Sequence, residues 1–171
     1  MTQELMFKQR MDNQVRRFKD RKEDWTVFGF ETKKNERYAR AQRRYIGASG
    51  STDHSNDLRG GLPASAFTMS IQSMPAGNCI PIHRHETEET FFILGGSCLV
   101  RCHEDGKTAD IRLNSWDLIT VPTLLYHEII NDGDETCHVQ TFWPSRCPCA
   151  PIIRTKSCWS CKLPSLDRRD E

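Results

Sequence analysis

Between residues 66 and 143, short apolar runs recur at close spacing, and each is ended by turn-forming residues. The runs lie at 66–74, 79–85, 90–94, 98–103, 110–113, 118–122, 126–131 and 137–143, with no long helical window among them. Pro75-Ala76-Gly77, Gly95-Gly96, Glu104-Asp105-Gly106 and Asn131-Asp132-Gly133-Asp134 interrupt the series. Glycine tolerates positive φ, and Asp and Asn bond to their own backbone, so such clusters end strands and reverse the chain. About eight strands joined by tight turns imply an all-β antiparallel sandwich or barrel.

The remainder of the 171 residues divides around that region. We read residues 1–64 as an N-terminal arm, 65–144 as the β core and 145–171 as a Cys-containing tail. Residues 1–44 carry 13 Lys and Arg against 7 Asp and Glu, a net +6, while the rest carries 11 against 16, a net −5. A basic arm can neutralise phosphates, but no zinc-finger, RRM or KH pattern accompanies it, so packing on an acidic body is the preferred reading over nucleic acid. Within the arm, Phe7, Met11, Val15 and Phe18 fall at helical spacing and predict a short amphipathic helix. Trp25-Thr26-Val27-Phe28-Gly29-Phe30 reads as a strand by its aromatic and β-branched content. Helix and strand together could cover a sheet edge on a second subunit, which predicts a homodimer. No apolar run approaches the roughly 18 residues that span a bilayer, and the start lacks the apolar centre of a secretory signal. A cytoplasmic protein without a membrane partner is expected.

The chemistry lies in the histidines. His83 and His85 are two apart, so in a strand they leave the same face. Glu89 follows across a short turn, and His127 occupies another strand just after Pro122. A closed antiparallel fold could bring all four to one mouth. Three neutral imidazoles and a carboxylate suit a first-row divalent ion: Fe, Mn, Ni, Cu or Zn. His103 and His138 have no partner at ligand spacing and read as plain strand residues.

The stretch Gly77-x5-His83-x-His85-x3-Glu89-x6-Gly96, followed by Pro122-x4-His127-x3-Asn131, resembles the two motifs of the cupin superfamily. The resemblance covers residues 65–144 and is similar in kind to small single-domain metal-dependent dioxygenases. It implies a double-stranded β-helix, or jelly-roll, barrel whose metal ligands fall on His83, His85, Glu89 and His127. It places Gly77 and Gly96 in turns and lets Asn131 close the strand after the last ligand. Fe(II) is the metal the resemblance favours, with a small-molecule substrate and O2 as partners. Two positions depart from the pattern: Trp116 and Leu124 stand where the motif has glycine. A side chain is penalised at positive φ, so a reshaped turn is expected there.

Four protein ligands on an ion that prefers six leave room for two substrate oxygens, and Glu89 could also shuttle a proton. The leading function is therefore a dioxygenase-type oxidoreductase cleaving or oxidising a hydroxy-aromatic, hydroxy-ketone or diketone. The alternatives are a non-oxidative isomerase, decarboxylase or lyase, and a non-enzymatic ligand-binding or sensor module. Strand parity points Phe91 and Ile93 inward with Glu89, and Ile129 inward with His127. Phe67, Trp116, Tyr126, Gln140 and Phe142 are further candidates for the substrate pocket, with Trp143 beside them. A pocket lined by Phe and Ile with few cations favours an aromatic or otherwise apolar substrate.

Cys79, Cys98, Cys102 and Cys137 read as small buried strand residues. In the tail, Cys147-Pro148-Cys149 and Cys158-Trp159-Ser160-Cys161 offer four thiolates. These could hold a structural zinc, stay free or form a redox-sensitive disulfide.

Overall fold

The computed structural model describes residues 2–47, 60–64 and 66–144, together with the backbone of 152–153. Two five-stranded antiparallel sheets face each other. The first runs in the order β1 (Ala41–Ile46), β2 (Phe67–Met74), β9 (Cys137–Pro144), β4 (Glu89–Gly95) and β7 (Leu118–Val121). The second runs β10 (Ile152–Ile153), β3 (Cys79–Arg84), β8 (Tyr126–Ile130), β5 (Ser97–Glu104) and β6 (Lys107–Asn114). Apart from the hairpins β1–β2 and β5–β6, neighbours in sequence thus lie in opposite sheets, the jelly-roll arrangement that the motifs imply. Among the described residues, no helix is long and apolar enough to cross a membrane.

Alternation explains the core. Phe91 and Ile93 on β4, Val139 and Cys137 on β9, Ile129 on β8 and Val100 and Cys98 on β5 all point between the sheets and are buried. Period-two spacing makes one face of each strand apolar, and burying those faces against each other is the main favourable term. The turns hold as expected. At Gly96, where φ is +75°, a Cβ would stand 2.9 Å from the Thr136 carbonyl oxygen, so only glycine fits. Asn131 is fully buried; its Nδ2 donates to the carbonyls of Met74 and Glu135, both at 2.8 Å.

The arm departs from its sequence reading in three ways. Helix α1 (Gln3–Asp12) ends before Val15 and Phe18, so the expected four-residue apolar stripe does not form, and the helix buries no residue. With nothing to pack against, a helix this short has little to extend it past Asp12 and Asn13. Residues 25–30 are not a strand. The Asp24 carboxylate accepts from the Thr26 N–H at 3.0 Å and from its hydroxyl at 2.6 Å, turning the chain, and a single helical turn, α2 (Gly29–Thr32), follows. Val27 and Phe28 are buried all the same. The strand that the arm does supply is β1, which pairs antiparallel with β2 from Ala41 opposite Ser73 to Arg44 opposite Ser70.

Candidate metal centre

β3 and β8 run side by side with His83 directly opposite His127. β3 ends at Arg84, His85 follows, and the chain turns back to start β4 at Glu89. All four side chains are buried, Glu89 to 2% exposure. Three imidazole nitrogens converge on one carboxylate oxygen. Glu89 Oε2 lies 3.5 Å from His83 Nε2, 3.2 Å from His85 Nε2 and 3.2 Å from His127 Nε2. Donor atoms of His83, His85 and Glu89 all fall within 4.8 Å of one another, a spread one ion can bridge. His127 joins them through its ring, 4.4 Å from that of His83.

The hydrogen bonds behind the cluster decide its chemistry. His83 Nδ1 is 2.7 Å from the Pro81 carbonyl oxygen, and His127 Nδ1 is 3.0 Å from that of Leu125. A carbonyl only accepts, so each Nδ1 carries the proton, and a neutral ring then presents a lone pair at Nε2. Lone pairs aimed at a carboxylate oxygen repel it; a cation among them reverses the sign. His85 Nε2 is buried without a hydrogen bond. The donor set therefore fits a divalent metal held by His83, His85, Glu89 and His127, with backbone carbonyls fixing two of the rings. Burial pushes the His83 pKa down, which favours the neutral ring a metal needs.

The turn after Pro122 locks onto this centre. The Leu124 N–H donates to the His85 carbonyl at 2.8 Å, and the Leu125 carbonyl takes the His127 Nδ1 proton. The reshaping expected at the two missing glycines does not occur. Trp116 and Leu124 keep the left-handed backbone, with φ of 75° and 64°. The Trp116 N–H is held by the Ile93 carbonyl at 2.7 Å, so the surrounding bonds carry the strain.

A narrow cavity of about 40 Å³ opens beside the cluster. Ile80, His83 and His85 line it from one sheet, and Glu89, Phe91 and residues of β1, β2 and β9 from the other. Of the residues expected to line a pocket, Phe91 and Trp143 do so; Ile93 and Ile129 lie in the core. Phe142 and Gln140 occupy the β9 positions that alternate with the buried Thr141 and Val139. Phe67 is 41% exposed and packs on Phe142, Trp116 is 72% exposed and packs on Phe92, and Tyr126 stacks under Arg84. The expectation of few cations is overturned. Arg40 and Arg44 line the cavity, with Gln42, Gln72, Glu31, Phe28 and Phe30. Arg40 is held by Glu31 at 2.6 Å, by Gln72 at 2.7 Å and by the Tyr38 carbonyl at 2.9 Å, over the Phe28 ring. Charged residues on a strand read from sequence as solvent-facing, so these were missed; the clue is that Arg40, Gln42 and Arg44 alternate in step.

Cys79, Cys98 and Cys137 are buried free thiols, as expected, whereas Cys102 is only half-buried. The candidate zinc ligands Cys147, Cys149, Cys158 and Cys161 lie outside the described residues.

Residues 70–143 match the family model described as Cupin domain. Over 73 residues the chain is 35% identical to a gentisate 1,2-dioxygenase from Haloferax, a match covering 43% of this chain and 20% of that enzyme. The chain thus spans about a fifth of the length of that relative. Among solved structures, the DMSP lyase of Ruegeria pomeroyi superposes with a TM-score of 0.53 at 24% identity, covering 67% of this chain and 51% of that one. A polyketide cyclase from Streptomyces resistomycificus gives 0.50 at 20% identity, covering 69% and 72%. Both likenesses concern the fold.

Proposed function

We propose that the protein is a metal-dependent oxidoreductase of dioxygenase type. Its substrate is a small hydroxy-aromatic, hydroxy-ketone or diketone, and its ion, Fe(II) for preference, is held by His83, His85, Glu89 and His127. The observation that carries the reading is the convergence of three Nε2 atoms on Glu89 Oε2 at 3.2–3.5 Å, at the wall of a cavity. The match to a gentisate 1,2-dioxygenase supports the oxidative choice. When bound, the metal would act as a Lewis acid on substrate oxygens and, as Fe(II), permit chemistry with O2.

The chain's own residues supply the rest. The Pro81 and Leu125 carbonyls orient the rings of His83 and His127. Glu89 stays ionised and contributes one negative charge, so a divalent centre retains +1 and attracts an anionic chelating substrate. Glu89 Oε2 is also the atom placed to take and return a substrate proton. Phe91 and Phe28 in the cavity wall exclude water from that end. A homodimer, with the arm reaching the second copy, belongs to the same proposal.

The test is oxygen consumption by iron-reconstituted protein offered phenolic ketones, β-diketones and dihydroxybenzoates. Stoichiometric uptake with substrate loss is the expected result. Turnover that continues without oxygen would replace this reading with the lyase, decarboxylase or isomerase alternative.

A further inference from the structure

The two sheets present unlike outer faces. Strands β2, β9, β4 and β7 contain no Asp, Lys or Arg, and their one Glu is Glu89, buried among the histidines on the inner side. Strands β3, β8, β5 and β6 of the other sheet carry seven charged residues, with Arg101 bound to Asp110 at 2.7 Å. Mixed charge suits a face that water covers, whereas depletion of charge with enrichment of aromatic residues is the composition of a buried contact. The uncharged face has that enrichment. Phe67 packs on Phe142 with ring centres 6.1 Å apart, and Phe92 on Trp116 at 5.9 Å. Leu118, on the edge strand β7, is 57% exposed. At the β1 border the arm adds Phe18, whose exposed ring lies under the Arg43 guanidinium; Arg43 is itself held by Glu23 at 2.8 Å.

Size and symmetry choose the occupant. Four strands at about 4.8 Å and eight residues at about 3.3 Å give a footprint of roughly 500 Å² before side-chain relief. With that relief, and with Trp116 and Phe18 at its rims, the face approaches the roughly 800 Å² that each member of a stable dimer buries. A two-fold contact sets a patch against itself, so charges there would meet like charges; a face without them avoids that repulsion. The chain's own tail is the poorer candidate. β9 ends on this sheet at Pro144, and Ile152–Ile153 already pair with β3 in the opposite sheet.

We infer that the outer face of β2, β9, β4 and β7 is the contact between two copies of this chain, with the arm at its rim. The inference rests on the homodimer of the proposed function, whose surface it assigns, and is independent of the metal centre.

Sedimentation equilibrium of the full chain between about 1 and 100 μM tests it. The wild type should be a dimer. Leu118→Glu should raise the dimer dissociation constant at least about tenfold, with native circular dichroism and unchanged Mn(II) binding. Thr120→Glu, at a second exposed position of β7, should do the same and stands in if the leucine variant misfolds. Thr108→Glu, exposed on β6 of the charged sheet, should change the constant by less than about threefold. A dimer indifferent to both β7 variants, or one dissociated by Phe7→Glu in α1 instead, would overturn this surface and leave the arm as the contact. A wild-type monomer throughout the range would overturn the homodimer together with this inference, leaving the tail or an unlike protein as the cover of the face.

Discussion

Leu124 shows what this site asks of a single residue. A leucine in the left-handed region costs roughly 1–2 kcal/mol, yet its N–H is what ties the turn to the carbonyl of His85. Its side chain is 46% exposed and returns little by burial. Leu124→Gly should therefore raise stability by about 1 kcal/mol in urea unfolding, while Leu124→Ala should bring no gain. A glycine variant less stable than the wild type would show that the side chain, not the backbone, governs this turn. The clustering of His83, His85, Glu89 and His127 was legible at this scale because His-x-His fixes a common strand face, and Glu89 and His127 stand at the motif's distances from Gly96 and Pro122. What spacing cannot show is Trp143, whose ring packs 4.6 Å from that of His85. An aromatic in a strand reads as packing until its neighbours are known.

Among the elements, β1 carries most of what sequence reading overlooked. The sheet strands after residue 66 announce themselves by apolar alternation and turn clusters. β1 alternates too, but with Arg40, Gln42 and Arg44 on the buried side, a pattern that ordinarily marks solvent. Conversely the aromatic run at 25–30 looked like a strand, and Asp24 and Gly29 made it a turn and a helical start instead. The wall that β1 forms depends on its buried ion pair. Burial lowers the Arg40 pKa, and Glu31 opposes that shift, so the two charges need each other. Breaking the pair leaves a buried guanidinium uncompensated, so Glu31→Gln should destabilise the protein by about 3–5 kcal/mol. Equilibrium unfolding measures it. A loss below 1 kcal/mol would mean that Gln72, the Tyr38 carbonyl and Phe28 hold Arg40 without Glu31.

At the scale of the whole molecule, two facing sheets bring His83 and His127 from adjacent strands of one sheet against Glu89 from the other. The arm, through β1, adds Gln42, Arg44 and Ile46 to the lining of the cavity. The cupin-domain match begins at residue 70, so part of the pocket is built by residues outside it. Everything functional in this account depends on those four side chains holding one cation. Mn(II) tests this most directly, because it disfavours thiolates and so bypasses the tail cysteines. Equilibrium dialysis of the full chain should yield one bound Mn(II), and a His83→Ala/His85→Ala double variant with native circular dichroism should bind none. A double variant that retains the ion at wild-type affinity would contradict the account.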